Sequence, residues 1–157
     1  MIIGENFIGK YKVVLILGDN IFYGSGLGDL FRRLTDITGA AVFAYPFHDP
    51  ERYGVVDFNN ETKVISLVEK LKKAKLNFTV PGLYFYDNRV VEFAKKVEPS
   101  ERGEKALTAL NQMYLEQAEL EVGIMNRVMT GLDTGTIASL DAATEFVRVI
   151  EIGLLKR

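Results

Sequence analysis

Apolar and polar positions along the chain change period several times, and each change marks an element. Residues 11–17, Tyr-Lys-Val-Val-Leu-Ile-Leu, form a nearly unbroken apolar run, which predicts a buried strand ended by the polar turn Gly18-Asp19-Asn20. Leu27, Leu30, Phe31, Leu34 and Ile37 then recur at helical spacing, predicting a helix that Gly39 stops. Ala40 to Phe47 is a second apolar run of strand length, closed by the polar loop from His48. Val55 to Phe58 and Lys63 to Glu69 read as a hairpin around Asn59-Asn60-Glu61. Leu76 to Tyr86 is β-rich, with Pro81 removing one ladder donor inside it.

The carboxy-terminal half is mostly helical in pattern. Asp87-Asn88 offers a cap for a helix around Val90, Val91, Phe93 and Ala94, and Pro99 to Glu104 reads as a charged link. Ala106 to Ala118 predicts a helix, Leu120 to Met125 a strand, and Thr136 to Leu155 a long last helix. A strand–helix–strand opening, then hairpins, then helices predicts one α/β domain over 1–157, with a mixed sheet flanked by helices. Gly4 to Gly9 reads like the end of a helix, so the chain is expected to open in the middle of a fold.

Composition narrows the class further. The 157 residues suffice for one sizeable core, and 48% hydrophobic with 25% charged residues is an ordinary globular balance. Nineteen basic against 21 acidic residues give a net charge of −2, which argues against a nucleic-acid partner. The absence of cysteine excludes disulfides and thiolate metal sites and suits a reducing cytoplasm. The longest apolar runs, such as Val13 to Leu17, fall far short of the roughly 20 residues that span a bilayer. Met1 to Asn6 lacks the basic and apolar regions of a signal peptide, so a cytoplasmic protein without a membrane partner is expected.

Two polar turns carry the candidate chemistry. Leu17-Gly18-Asp19-Asn20-Ile21-Phe22-Tyr23-Gly24 runs from a strand into a turn, where an open α/β sheet exposes carboxylates to ligands. Gly-Asp-Asn after a strand is equally an ordinary turn, and Asp133 before Thr134-Gly135-Thr136 would equally cap the last helix. The octapeptide as a whole resembles the metal-site motif of the glucose-1-phosphate thymidylyltransferases, within the sugar nucleotidyltransferase family. Five further segments match that family in order. Asp49-Pro50-Glu51-Arg52-Tyr53-Gly54-Val55-Val56 resembles its sugar-side loop, and Glu69-Lys70 stands at its Glu-Lys-Pro motif. Gly82 to Asp87 and Pro99 to Glu104 resemble the next strand and link, and Leu132-Asp133-Thr134-Gly135-Thr136 resembles its second metal motif.

The resemblance implies a Rossmann-like, nucleotidyltransferase-type mixed sheet, here incomplete. It implies a reaction in which a sugar 1-phosphate attacks the α-phosphate of dTTP, yielding dTDP-glucose and pyrophosphate on the way to dTDP-rhamnose. Such a displacement needs positioning and charge neutralisation more than covalent help. Asp19 and Asp133 are the implied ligands of Mg2+, which favours octahedral oxygen coordination. Tyr53, Gly54, Glu69, Lys70, Val80 and Tyr84 are the implied sugar-side residues. Glu69 would accept sugar hydroxyls, Lys70 would pair with the sugar phosphate, and Gly54 would let backbone approach the sugar. Tyr84 would offer an apolar face and a hydroxyl.

The match has gaps. The family's opening Gly-Gly-x-Gly-Thr-Arg-Leu loop, which holds the triphosphate through backbone N–H groups, has no counterpart here. A nucleotide therefore has no evident seat, and the chain is expected to be inactive or incomplete alone. Two alternatives follow: a half-enzyme completed by a complementing chain, or a non-catalytic, self-associating scaffold. Freshly exposed sheet edges would favour either partner, including a homo-oligomer. Inside the matched part, Leu71 stands for the family's proline, Pro81 for a threonine and Gly131 for a tryptophan.

Overall fold

The computed structural model describes residues 1–46, 54–58, 64–69, 78–99, 106–126 and 128–155. It opens with the one-turn helix α1 (Glu5–Ile8) and the apolar strand β1 (Val13–Ile16). Next come β2 (Asn20–Gly24), helix α2 (Leu27–Leu34), β3 (Ala40–Pro46), β4 (Gly54–Phe58), β5 (Val64–Glu69), β6 (Phe78–Val80) and β7 (Leu83–Tyr86). Helices α3 (Val90–Lys96) and α4 (Leu107–Glu116), strands β8 (Leu120–Ile124) and β9 (Met129–Asp133), and helix α5 (Ile137–Leu155) complete the order.

Seven strands form one mixed sheet, in the order β1-β7-β3-β6-β4-β5, with β8 parallel to β3. The alternation of the central strands decides its two faces. Ala40, Val42, Tyr84 and Tyr86 face a cluster with Val90, Phe93 and Ala94 of α3 and Leu110 and Tyr114 of α4. Ala41, Phe43, Leu83 and Phe85 face the opposite way, against Leu27, Leu30 and Leu34 of α2. Three layers result: helices, sheet, helix. Burying rings such as Phe43 and Phe85 contributes roughly 1.5–3 kcal/mol each, so β3 and β7 anchor the sheet.

β6 and β7 form one bent ribbon along β3. Tyr45 pairs with Thr79, whereas Val42 pairs with Tyr84, so the register shifts between them. The shift falls at Pro81-Gly82, where Leu83 N–H donates to the Pro81 carbonyl at 2.7 Å in a tight turn. The proline predicted to interrupt the ladder therefore sits at a bend that passes the chain from β4 to β1. β2 and β9 form a separate antiparallel ribbon, with Asn20 opposite Asp133. Tyr23 meets Phe146 of α5 edge-on at 5.7 Å, which seats the last helix against this ribbon.

The structure amends several details of the pattern reading. α2 ends at Leu34, with Thr35 Oγ1 donating to the Arg32 carbonyl at 2.8 Å, and buried Ile37 lies beyond the helix. Arg89, with no side-chain capping bond of its own, occupies the N-cap position of α3; Asp87, two residues earlier, accepts the Arg89 N–H at 3.1 Å but is shared with groups outside the helix. α5 is capped by Thr136: its Oγ1 accepts the Ser139 N–H at 3.2 Å while Ser139 Oγ accepts the Thr136 N–H at 3.1 Å. β2 and β9 were hidden, because glycine-rich, half-buried five-residue strands carry little alternation.

Candidate functional site

The turn after β1 is built by three hydrogen bonds. Leu17 N–H donates to the Gly82 carbonyl at 2.8 Å, and Asn20 N–H donates to the Leu17 carbonyl at 3.1 Å. Gly82 N–H in turn donates to Asn20 Oδ1 at 3.0 Å. The turn thus grips the β6–β7 bend from both sides of one residue. That residue must be glycine, since a Cβ on Gly82 would fall 2.6 Å from Leu17 Cδ1. Asp19 is thereby held exposed at the end of the sheet. Asn20 Nδ2 donates to its Oδ1 at 2.8 Å.

β9 brings the second carboxylate to the same place. Thr134 donates twice to the Asp19 carbonyl, through N–H at 2.7 Å and through Oγ1 at 2.9 Å. Asp133 Oδ1 accepts the Gly135 N–H at 2.7 Å, a side-chain turn that aims the carboxylate over Gly135. A Cβ built on Gly135 would lie 2.9 Å from Asp133 Oδ1 and 3.3 Å from Asp19 Oδ2. Two carboxylates separated by more than 100 residues of sequence thus converge on one glycine. Among the described residues no group of three or more His, Cys, Asp or Glu stands where it could hold a metal, so a cation here would rest on the Asp19–Asp133 pair and on ligands from outside that set. A donor set of two hard carboxylate oxygens at an exposed turn fits a magnesium-type cation that keeps waters and phosphate oxygens in its remaining positions.

The sugar-side residues divide into three groups. Gly54 of β4 pairs with Glu69 of β5 on one side and with Val80 of β6 on the other, so the three stand abreast across the sheet. Val80 is buried, and it leads directly into the Pro81-Gly82 bend held by Asn20. Tyr84 lies further along, opposite Leu15 and Val42, with its ring stacked 6.1 Å from that of Tyr86 in the core. Tyr53 and Lys70 lie outside the described residues.

Two of the departures from the family pattern meet at this bend. A Cβ on Gly131 would stand 3.4 Å from Pro81 Cβ and 3.3 Å from the Phe22 ring. The small residue at 131 and the proline at 81 fit one another, and a large side chain at 131 would require both neighbours to move. The residues that motif reading left without a role are Asn20 and Gly135. Each lies inside a quoted motif, but only the paired geometry of β2 and β9 shows what it touches.

At the other end of the sheet a second carboxylate is fully engaged. Asp87 accepts the N–H groups of Gly39 at 3.0 Å and Arg89 at 3.1 Å, Arg89 Nε at 2.8 Å and the Tyr114 hydroxyl at 3.0 Å. Arg89 also pairs with Glu119. Burial pushes the Asp87 carboxyl up, but the bonds from Arg89, Gly39 and Tyr114 outweigh it and leave the group below its usual range. Burial, reinforced by Asp87, raises the Tyr114 hydroxyl well above the ordinary phenol value.

Comparison with known proteins bears on the family and the fold. The family model described as nucleotidyl transferase matches residues 1–149. A glucose-1-phosphate thymidylyltransferase of Mycolicibacterium smegmatis is 48% identical over 151 residues, covering 96% of this chain and 52% of the relative. One from Neisseria meningitidis is 50% identical over 151 residues, with the same coverage of 96% and 52%. The chain therefore spans about half the length of the curated relatives it matches. Among solved structures, a putative glucose-1-phosphate thymidylyltransferase from Bacillus anthracis in complex with a sucrose superposes with a TM-score of 0.82 at 35% identity, over 94% of this chain and 58% of that one. A UTP-bound UGPase from Acinetobacter baumannii shares the fold, with a TM-score of 0.76 at 20% identity over 92% of this chain and 54% of that one. With a mixed sheet flanked by helices and a family match along nearly its whole length, the chain belongs to the nucleotidyl transferase family.

Proposed function

We propose that this chain forms the cation-holding and sugar-facing portion of a glucose-1-phosphate thymidylyltransferase. The observation that carries the reading is the convergence of Asp19 and Asp133 over Gly135, beside the bend that leads from Val80. In this reading the two carboxylates hold Mg2+, which would neutralise charge on the phosphates of a sugar 1-phosphate and dTTP. Gly54, Glu69 and Val80 line the sugar side, with Tyr53, Lys70 and Tyr84 completing it. Gly54 admits backbone close to the sugar, Glu69 accepts its hydroxyls and Lys70 pairs with its phosphate. The chain's own contribution is placement: it fixes where the cation and the sugar phosphate stand relative to each other.

Isothermal titration with Mn2+ or Mg2+ and glucose 1-phosphate tests the binding reading directly. Heat on titration and a raised melting temperature are expected. No heat in wild type, with no change in melting temperature, sinks it.

A second reading concerns partners, and one observation favours it. Among the described residues β1 pairs only with β7, and Val14 and Ile16 beside that edge are each 54% exposed. An apolar edge without charges in the strand itself invites another strand. We read it as the seam to a complementing chain that carries the phosphate loop, or failing that, to a second copy. Restoration of turnover by a supplied amino-terminal fragment supports the first. A stable dimer in sedimentation that ignores the fragment supports the second. The cytoplasm remains the compartment that fits a cysteine-free chain in which no described helix is long and apolar enough to cross a membrane.

A further inference from the structure

Asn20 joins the turn that carries Asp19 to the bend at Gly82. Its Nδ2 donates to Asp19 Oδ1 at 2.8 Å, and its Oδ1 accepts the Gly82 N–H at 3.0 Å. In the β2–β9 ribbon it stands directly opposite Asp133. Its own N–H closes the turn on the Leu17 carbonyl at 3.1 Å, while Leu17 N–H holds the Gly82 carbonyl at 2.8 Å. Gly82 is therefore bound through both of its backbone groups to the turn that carries Asp19.

From this geometry we infer that Asn20 is a positioning residue that orients the Asp19 carboxylate for a cation and locks it to the Pro81-Gly82 bend at the end of the sugar-side row. The chemistry selects an amide at this point. One side chain must donate to a carboxylate on one side and accept a backbone N–H on the other, and the amide of Asn does both uncharged. Aspartate would satisfy Gly82 but set a second negative charge against Asp19. An apolar residue would leave Asp19 free to rotate and strip Gly82 N–H of its acceptor. Because the same amide holds both pieces, a sugar phosphate that shifts the bend changes the cation geometry, and by linkage a cation changes affinity for the sugar phosphate.

This role rests on the cation reading above, and the test separates the two. Mn2+ affinity is measured by electron paramagnetic resonance for wild type, Asn20→Ala and the size-matched Asn20→Leu, each with and without glucose 1-phosphate. Hydrogen exchange at the Gly82 amide is followed in parallel. The expected result is Mn2+ binding in wild type that weakens about tenfold in both variants, as for other groups that orient a metal ligand. Gly82 exchange should quicken, and the effect of glucose 1-phosphate on Mn2+ affinity should disappear. Absence of Mn2+ binding in wild type overturns the cation reading and this role with it. Wild-type binding that both variants retain, with only the melting temperature lowered, overturns the role of Asn20 alone and leaves a merely structural amide.

Discussion

The two ends of the sheet hold carboxylates in opposite ways. Asp87, at the end where β7 meets β3, is buried and saturated: four donors reach it, and Arg89 neutralises it while binding Glu119. Asp19 is exposed, takes one amide from Asn20, and converges with Asp133 on one glycine. A carboxylate that serves folding is matched inside the chain. One that serves a ligand, as proposed for Asp19, is held in place by its backbone and stays exposed. The contrast predicts that removing the first damages stability and removing the second damages binding.

The largest effect is expected at Asp87. Asp87→Ala strands the Gly39 N–H and the Tyr114 hydroxyl and leaves Arg89 with Glu119 alone, and breaking such a partly buried group by one partner costs about 3 kcal/mol. Urea denaturation should show the midpoint fall without a change in slope. The sign of the pH dependence follows from the depressed carboxyl. Its contribution is fully present above the unfolded value, near pH 4, and is lost as pH falls through the lower folded value. Wild-type stability should therefore drop steeply below about pH 4, and Asp87→Asn should flatten that limb. An acid limb identical in both proteins refutes the assignment.

Gly39 ranks next, in the same cluster. Its φ is +101°, and a Cβ there would fall 2.3 Å from the Glu119 carbonyl oxygen. Gly39→Ala thus combines a disfavoured backbone with a contact against main chain that cannot swing away. A loss of roughly 2–3 kcal/mol is expected by denaturation. The converse holds at Gly28, where nothing lies within 4 Å of an added Cβ. There, in the first turn of α2, Gly28→Ala should raise stability by about 0.4–1 kcal/mol.

How much of this contrast was legible in the sequence follows from the same physics. The apolar run at β3 and the helical spacing of Leu27, Leu30 and Leu34 announced themselves, because a core imposes period on side chains, whereas the run at β1 marked a strand but not the buried one it predicted: Val13 and Leu15 pack on the core and Val14 and Ile16 are exposed. The hairpin of β4 and β5 and the last helix were legible for that reason too. Motifs located Asp19 and Asp133 by resemblance, and the fold brought them together. The β2–β9 ribbon that does so was not legible, since Asn20 to Gly24 and Met129 to Asp133 are short, half-buried and contain glycines. Nor was the Asp87 cluster. Asp87-Asn88 before a helix resembles a cap, and only the return of α4 and β8 shows that Tyr114 and Glu119 claim that region instead. Pairings between distant residues leave no local period to read.

The smallest effect on stability should accompany the clearest effect on binding, at Gly135. Its backbone N–H, which holds Asp133, survives substitution by alanine, and it lies outside the left-handed region. The new methyl would nevertheless sit against Asp133 Oδ1 at 2.9 Å and Asp19 Oδ2 at 3.3 Å, pressing on both carboxylates at once. In cation-free buffer the exposed position should keep the change in unfolding free energy within about 0.5 kcal/mol. In the presence of Mn2+ the affinity should fall about tenfold, as expected when a metal ligand is displaced. If the methyl lowers stability by as much as Gly39→Ala and leaves Mn2+ affinity intact, the two ends of the sheet do not differ in kind, and the carboxylates at this end are structural as well.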